Sequence, residues 1–167
     1  MISDKLQDAI NDQINKELYS EYLYFSMAAY LERIGLPGFS NFMRIQAQEE
    51  HVHGVKFYDY LLERQGKVVL QSIDAPQPDF ESPKAVFEDT YAHEHFITES
   101  INELMTIAIE EKDYASQSFL KWFIDEQVEE EASMDNVLTQ IKLISGDGKG
   151  MFMLDRELGQ RVFTPPV

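Results

Sequence analysis

The sequence predicts an all-α fold: a four-helix bundle running up, down, down, up, with one long crossover and a short fifth helix at the C-terminal end. Three observations carry this expectation. Apolar residues recur at helical spacing throughout, with no alternating strand pattern of any length. Proline and glycine cluster at a few places and leave four stretches long enough for bundle helices. One connection, Lys67 to Ser82, is far longer than a turn between neighbouring helices requires. The 167 residues suit a single domain (1–167) with a real core, and helices are expected at about residues 4–34, 39–65, 83–112, 114–144 and 151–163.

Ser3 can cap the first helix, whose apolar face is read as Leu6, Ile10, Ile14, Leu18, Phe25, Ala28 and Leu31. It should stop near Gly35, and Leu36-Pro37-Gly38 is a short turn that makes the second helix antiparallel to the first. The second helix, Phe39 to Gln65, carries Met43, Ala47, Phe57 and Leu61, and Gly66 is placed as its left-handed terminal residue. The crossover contains Pro76 and Pro78. At about 3.3 Å per residue it can span about 50 Å, against about 40 Å for the preceding helix. It is therefore long enough to start the third helix parallel to the second.

Ser82-Pro83 opens that third helix, with Phe87, Tyr91, Ile97, Ile101, Leu104 and Ala108 on its apolar face. No glycine or proline separates it from the fourth, so the break is placed at Lys112-Asp113 with Asp113 as cap. The fourth carries Phe119, Phe123, Met134, Val137, Ile141 and Ile144. Ser145 to Gly150 reads as a flexible polar link. Met151, Leu154, Leu158 and Val162 make the apolar face of the fifth helix. Together with Phe152, Met153 and Phe163 they form a patch too large for a monomer to leave exposed, so this helix needs a partner.

Composition narrows the function. A formal net charge of −16 argues against binding nucleic acid or anionic lipid through the overall field. The hydrophobic fraction of 44% suits neither a disordered chain nor a membrane span. The first six residues lack the basic start and apolar run of a signal peptide, so a cytoplasmic location is expected. The absence of cysteine excludes disulfide frameworks, thiolate metal sites and cysteine nucleophiles.

The informative residues are the polar ones inside the apolar stripes. Glu50 and His53 share a helical face with Met43, Ala47, Phe57 and Leu61. Glu17 follows Ile10 and precedes Tyr24 and Leu31 at steps of seven; Glu94 lies between Phe87 and Ile101; Glu130 lies between Phe123 and Val137, with Glu126 and Gln127 one turn away. Each long helix thus places a carboxylate in core phase near mid-height. A single Glu-x-x-His arises on helix surfaces by chance, but four such placements at one depth do not, because charged residues are seldom buried unless paired or bound to metal. Glu17, Glu50, His53, Glu94 and Glu130, with Gln127 beside them, form an oxygen-rich set with one nitrogen, which suits iron or manganese. Glu50 is positioned to bridge two ions.

Three motifs carry a family resemblance: Ala47-Gln48-Glu49-Glu50-His51-Val52-His53, Tyr91-Ala92-His93-Glu94-His95 and Glu126-Gln127-Val128-Glu129-Glu130-Glu131. Over essentially its whole length, from Glu17-Leu18-Tyr19-Ser20 to the last short helix, the chain resembles the bacterial non-haem ferritins. The resemblance implies a ferritin-like bundle and a di-iron ferroxidase centre. Glu17, Glu50 and His53 would hold the first iron, and Glu50, Glu94 and Glu130 the second, with Gln127 beside it. Glu49, Glu126 and Glu129, sharing Glu130, would form a third iron site. Tyr24 would stand next to the centre, and Trp122 lies one turn before Glu126. Fe(II) would be oxidised with dioxygen or hydrogen peroxide and stored as ferric oxyhydroxide mineral inside a homo-oligomeric shell of 24 subunits.

The departures also inform. Bacterioferritins carry a haem-ligand methionine just after the residue matching Glu50; here it is His51, so no haem is expected. Animal ferritins line a channel with acids where this chain has Gln117 and Leu120, so iron's path into the shell does not carry over. His93 and His95 flank Glu94 and are expected on outer or interface faces. Glu94 is followed at the third position by Ile97 rather than histidine, which suits iron held as a departing substrate rather than a fixed cofactor. Two other readings follow from the same residues: a storage shell without fast oxidation, and a di-iron oxidoreductase acting on another substrate.

Overall fold

Five helices make up the computed structural model, which describes residues 2–144 and 146–165: α1 (Asp4–Arg33), α2 (Pro37–Glu63), α3 (Pro83–Glu110), α4 (Tyr114–Ile144) and α5 (Gly148–Leu158). Ser3 and Ser82 cap α1 and α3 through bonds from the backbone N–H groups of Leu6 and Ala85, both 3.1 Å. Asp113 accepts from the Ser116 N–H at 3.1 Å and opens α4. Three helices end alike, with a left-handed residue whose following N–H turns back to the last turn. These are Gly35 after α1, Gln65 after α2 and Lys112 after α3.

The crossover lies along α1 and is stitched to it in order. Asn11 binds the backbone of Lys67 and Val69 at 3.0 and 2.7 Å, and Asn15 donates to the Ser72 carbonyl at 3.0 Å. Farther along, Ser26 donates to the Gln77 carbonyl at 2.7 Å, and Arg33 pairs with Asp79. The chain therefore returns to the end of the bundle where α2 began, and α3 runs parallel to α2. The directions are up, down, down, up.

Several boundaries differ from expectation. α2 begins at Pro37, because proline at the first helical position loses no hydrogen bond. The left-handed residue after α2 is Gln65, not Gly66. Gly66 is needed for closeness instead: a Cβ there would lie 2.5 Å from Leu61 Cδ1. α5 begins at Gly148 and ends at Leu158, so half of the expected flexible link is helix. The Asp147 carboxylate accepts from the N–H groups of Lys149 and Gly150, and this cap outweighs the poor helix propensity of two glycines. Ser145, the first residue of that link, lies outside the described residues.

The apolar core falls into two halves. One gathers Tyr24, Met27, Leu31, Phe39, Phe42, Met43, Phe87 and Met134; the other gathers Leu6, Ile10, Ile14, Phe57, Leu61, Ile97, Ile101 and Phe123. Between them lies a belt of buried polar side chains. Phe25, assigned to the α1 stripe, is 43% exposed; Tyr24 and Met27 take that face.

α5 is partly covered by its own chain. Leu154 and Leu158 pack into the first half-core, whereas Phe152 and Met153 remain exposed, as does Val162 beyond the helix. The Asp155 carboxylate accepts from the N–H groups of Gly38 and Phe39 at 2.8 and 3.0 Å. It caps α2, which has no side-chain cap of its own. Gly38 permits the approach, since a Cβ there would overlap the Asp155 carbonyl oxygen at 1.6 Å.

Candidate metal centre

All four long helices contribute to the belt. α1 supplies Glu17 and Tyr24, α2 supplies Glu50 and His53, α3 supplies Glu94, and α4 supplies Gln127 and Glu130; none is more than 5% exposed. Stepping by seven from apolar neighbours puts each in the core, as on any nearly straight bundle helix. On α1, Ile10, Glu17, Tyr24 and Leu31 are all fully buried.

Two groups of three present ligand atoms within 4.8 Å of one another: Glu17, Glu50 and His53, and His53, Glu126 and Glu130. His53 joins them, with Nδ1 3.5 Å from Glu50 and Nε2 3.8 Å from Glu126. Buried polar atoms are nearly always hydrogen-bonded. Here Glu17 Oε2, Glu50 Oε2 and His53 Nε2 are buried without any hydrogen-bond partner. Three orphaned acceptors or donors converging in one place are what a cation would satisfy.

Several of the other ligand atoms are held by neighbouring side chains. Gln13 donates to Glu17 Oε1 at 2.7 Å, and Tyr24 donates to Glu94. Gln127 donates to Glu94 Oε2 at 3.1 Å and Gln46 to Glu130 Oε2 at 2.7 Å. Held this way, Glu50, Glu94 and Glu130 do not close into a group as tight as the other two. Gln13 and Gln46 were missed in the sequence. Their signal was legible, since each lies in core phase four residues before Glu17 or Glu50.

The expected third set is divided. Glu126 faces His53, whereas Glu49 is bound by Arg161 at 2.7 Å and Glu129 is exposed on α4, outside both groups. Trp122 stands beside the centre, its ring edge-on to His53 at 5.5 Å and covered by Lys56 Nζ at 3.6 Å. His51 is exposed and 3.1 Å from Glu21; His95 is exposed and 3.2 Å from Glu131. His93, expected on an outer or interface face, is half-buried and bonded to Ser20 at 2.8 Å, and burial lowers its pKa to about 4.

Burial raises the carboxyls. Glu94 rises to about 6 despite bonds from Tyr24 and Gln127, and Glu130 to about 7 through burial and the Glu94 charge. Glu50 is pushed well up by burial and by Glu94. Burial pulls His53 down, but its contacts with Glu126 and Glu50 outweigh this and raise it. Burial and then the Glu94 charge keep Tyr24 protonated far above its usual range.

A pH dependence follows. Raised carboxyls bind more protons in the folded than in the unfolded chain, so their contribution to stability is fullest below about pH 4.5 and is lost as pH rises through about 7. The metal-free protein should therefore melt several degrees lower at pH 7.5 than at pH 5.5, and Glu130→Gln should flatten the slope. Mn(II) should restore the loss and release protons on binding, most between pH 6 and 7. Calorimetry in two buffers of different ionisation enthalpy measures that release; its absence would show that the carboxyls are already ionised.

A family profile for the ferritin-like domain matches residues 7–144. A probable bacterial non-heme ferritin-like protein of Haemophilus influenzae is 40% identical over 159 residues, covering 95% of this chain and 96% of the relative. A bacterial non-heme ferritin of Staphylococcus aureus is 39% identical over 163 residues and 98% of both chains. Among solved structures, an open-pore ferritin from Archaeoglobus fulgidus superposes with a TM-score of 0.96 at 47% identity, over 97% of this chain and all of that one. A closed form engineered from the same ferritin gives 0.97 at 48%, over 98% of this chain and all of that one.

Proposed function

The chain belongs to the ferritin-like family, and from that premise we propose that it stores iron, taking up Fe(II), oxidising it at the buried centre and depositing it as ferric mineral inside a shell. The observation that carries the reading is the group Glu17, Glu50 and His53, buried and orphaned between two apolar half-cores.

Iron here is substrate and cargo. Glu17 and His53 hold one Fe(II), and Glu50 reaches from it toward a second position served by Glu94 and Glu130. Hard carboxylate oxygens bind ferric better than ferrous iron, which favours transfer of one electron from each ion to dioxygen or hydrogen peroxide. Tyr24, Gln127 and Gln46 orient the carboxylates, and the apolar halves keep bulk water out. The second position has Ile97 where a histidine ligand would stand, so fewer ligands hold its iron, which suits a product that must leave. Glu49 and Glu126, sharing Glu130, form a third position on the way out, and the exposed Glu129 stands outside it.

Shell formation is supported by apolar side chains left exposed, among them Phe152, Met153, Leu143 and Val128. A hollow shell of 24 subunits in the cytoplasm is the assembly that the ferritin resemblance implies for this reading; no described helix is long and apolar enough to cross a membrane. One experiment separates the alternatives: anaerobic titration with Fe(II), an oxygen pulse, and size-exclusion chromatography. Rapid oxidation with iron retained in a very large particle is expected. Slow oxidation in such a particle would indicate a passive container, and rapid oxidation by a small species would indicate an oxidoreductase.

A further inference from the structure

Beyond α5 the chain returns to the centre. Asn41 Nδ2 binds the Leu158 carbonyl at 3.4 Å and the Arg161 carbonyl at 2.9 Å, which seats this segment on α2. The Arg161 guanidinium then lies 4.3 Å over the Phe42 ring. Its Nη2 donates to Glu49 Oε2 at 2.7 Å and its Nη1 donates to Gln46 Oε1. Gln46 in turn donates to Glu130 Oε2 at 2.7 Å. One guanidinium is thus bonded to one acid of the third position and, through one amide, to another. On the opposite side His53 Nε2, buried and without a hydrogen-bond partner, faces Glu126 at 3.8 Å.

We propose that Arg161 is the resident counter-cation of the third position, holding Glu49 and Gln46 to itself, so that a metal ion occupies Glu49, Glu126 and Glu130 fully only by displacing the guanidinium. The inference rests on the third position assigned above and adds a residue that regulates it. A guanidinium keeps its charge at any working pH, and its planar fork matches two acceptors at once. It therefore competes as a cation rather than as a steric plug. Because the segment is anchored through backbone carbonyls, the Arg161 side chain can swing off Glu49 while Asn41 keeps its hold. Occupancy of the outer position is thereby tied to the segment that follows α5. The first two ions, held by Glu17, Glu50, His53, Glu94 and Glu130, meet Arg161 only at one remove, through Gln46 on Glu130, so filling is ordered: the inner pair first, the outer ion last.

The test is anaerobic titration with Co(II), followed by calorimetry and visible absorption, on the assembled wild type, Arg161→Gln, Arg161→Lys and the double variant Arg161→Gln/Glu49→Gln. Sedimentation verifies that all four assemble alike. Arg161→Gln should bind the last ion about tenfold more tightly, since one charge-assisted hydrogen bond no longer has to be given up, and change the affinity of the first two ions far less. Arg161→Lys, which keeps the charge, should stay near the wild type, and the double variant should lose the gain. Co(II) binding that is identical in wild type and Arg161→Gln overturns the inference while leaving the third position standing. A third ion absent from both removes the position and the inference together. A gain in Arg161→Lys equal to that in Arg161→Gln, or one that survives loss of Glu49, also overturns it.

Discussion

Glu50→Ala is expected to abolish rapid Fe(II) oxidation more completely than any other single change in the centre. Glu50 is 1% exposed, its Oε2 has no hydrogen-bond partner, and it stands between the Glu17–His53 pair and Glu94. In the proposed centre it alone would serve both inner positions, so its loss would separate two ions that must deliver electrons together. Disturbing an outer partner of a metal ligand typically costs 10–100-fold, so losing a shared ligand should lower the initial rate by about a hundredfold or more. Stopped-flow oxidation at two Fe(II) per subunit measures it, with sedimentation to show that the variant assembles. An unchanged initial rate would remove Glu50 from the centre.

Ending the chain at Gly146 should have the second-largest effect, and on the subunit as well as on the shell. The sequence suggested a fifth helix waiting for a symmetry partner; the structure already buries Leu154 and Leu158 against the chain's own half-core. Each buried leucine is worth about 2–5 kcal/mol by comparison with large-to-small substitutions. Loss of the Asp155 cap adds about 0.5–2 kcal/mol. The truncated protein should melt many degrees lower, assemble poorly and retain less iron; a full-sized particle of normal stability and capacity would contradict this. Gly38→Ala tests the docking with one residue, because its Cβ would overlap the Asp155 carbonyl oxygen. A cost of about 1–3 kcal/mol is expected from overpacking at that contact. The truncation also removes Arg161, so changes in later iron uptake need the Arg161→Gln variant beside it.

The centre was legible in the sequence because a bundle core is nearly periodic. Steps of seven from Ile10, Phe87 and Phe123 reach Glu17, Glu94 and Glu130, and all three are buried. What local pattern could not supply were contacts made between distant elements. Asp155 caps a helix whose first turn lies more than a hundred residues earlier, and nothing near Pro37 signals it. Arg161 follows the last helix, where no periodicity constrains it, yet it reaches Glu49 and Gln46. Phe25 was misplaced because a 3.6-residue repeat leaves adjacent aromatics ambiguous over a long helix; Tyr24 took the inner face, where its hydroxyl has Glu94 to bond. Glu129 matched a motif, but its position one residue before the buried Glu130 turns it about 100° away from that side chain.

The most direct test is anomalous diffraction from crystals of the protein soaked anaerobically in Fe(II). Two strong iron peaks are expected inside the bundle, about 3.5–4 Å apart as in other paired sites. One should contact Glu17, Glu50 and His53, the other Glu50, Glu94 and Glu130. Iron found only on surface acids, with the interior between the two half-cores free of anomalous density, would contradict the account.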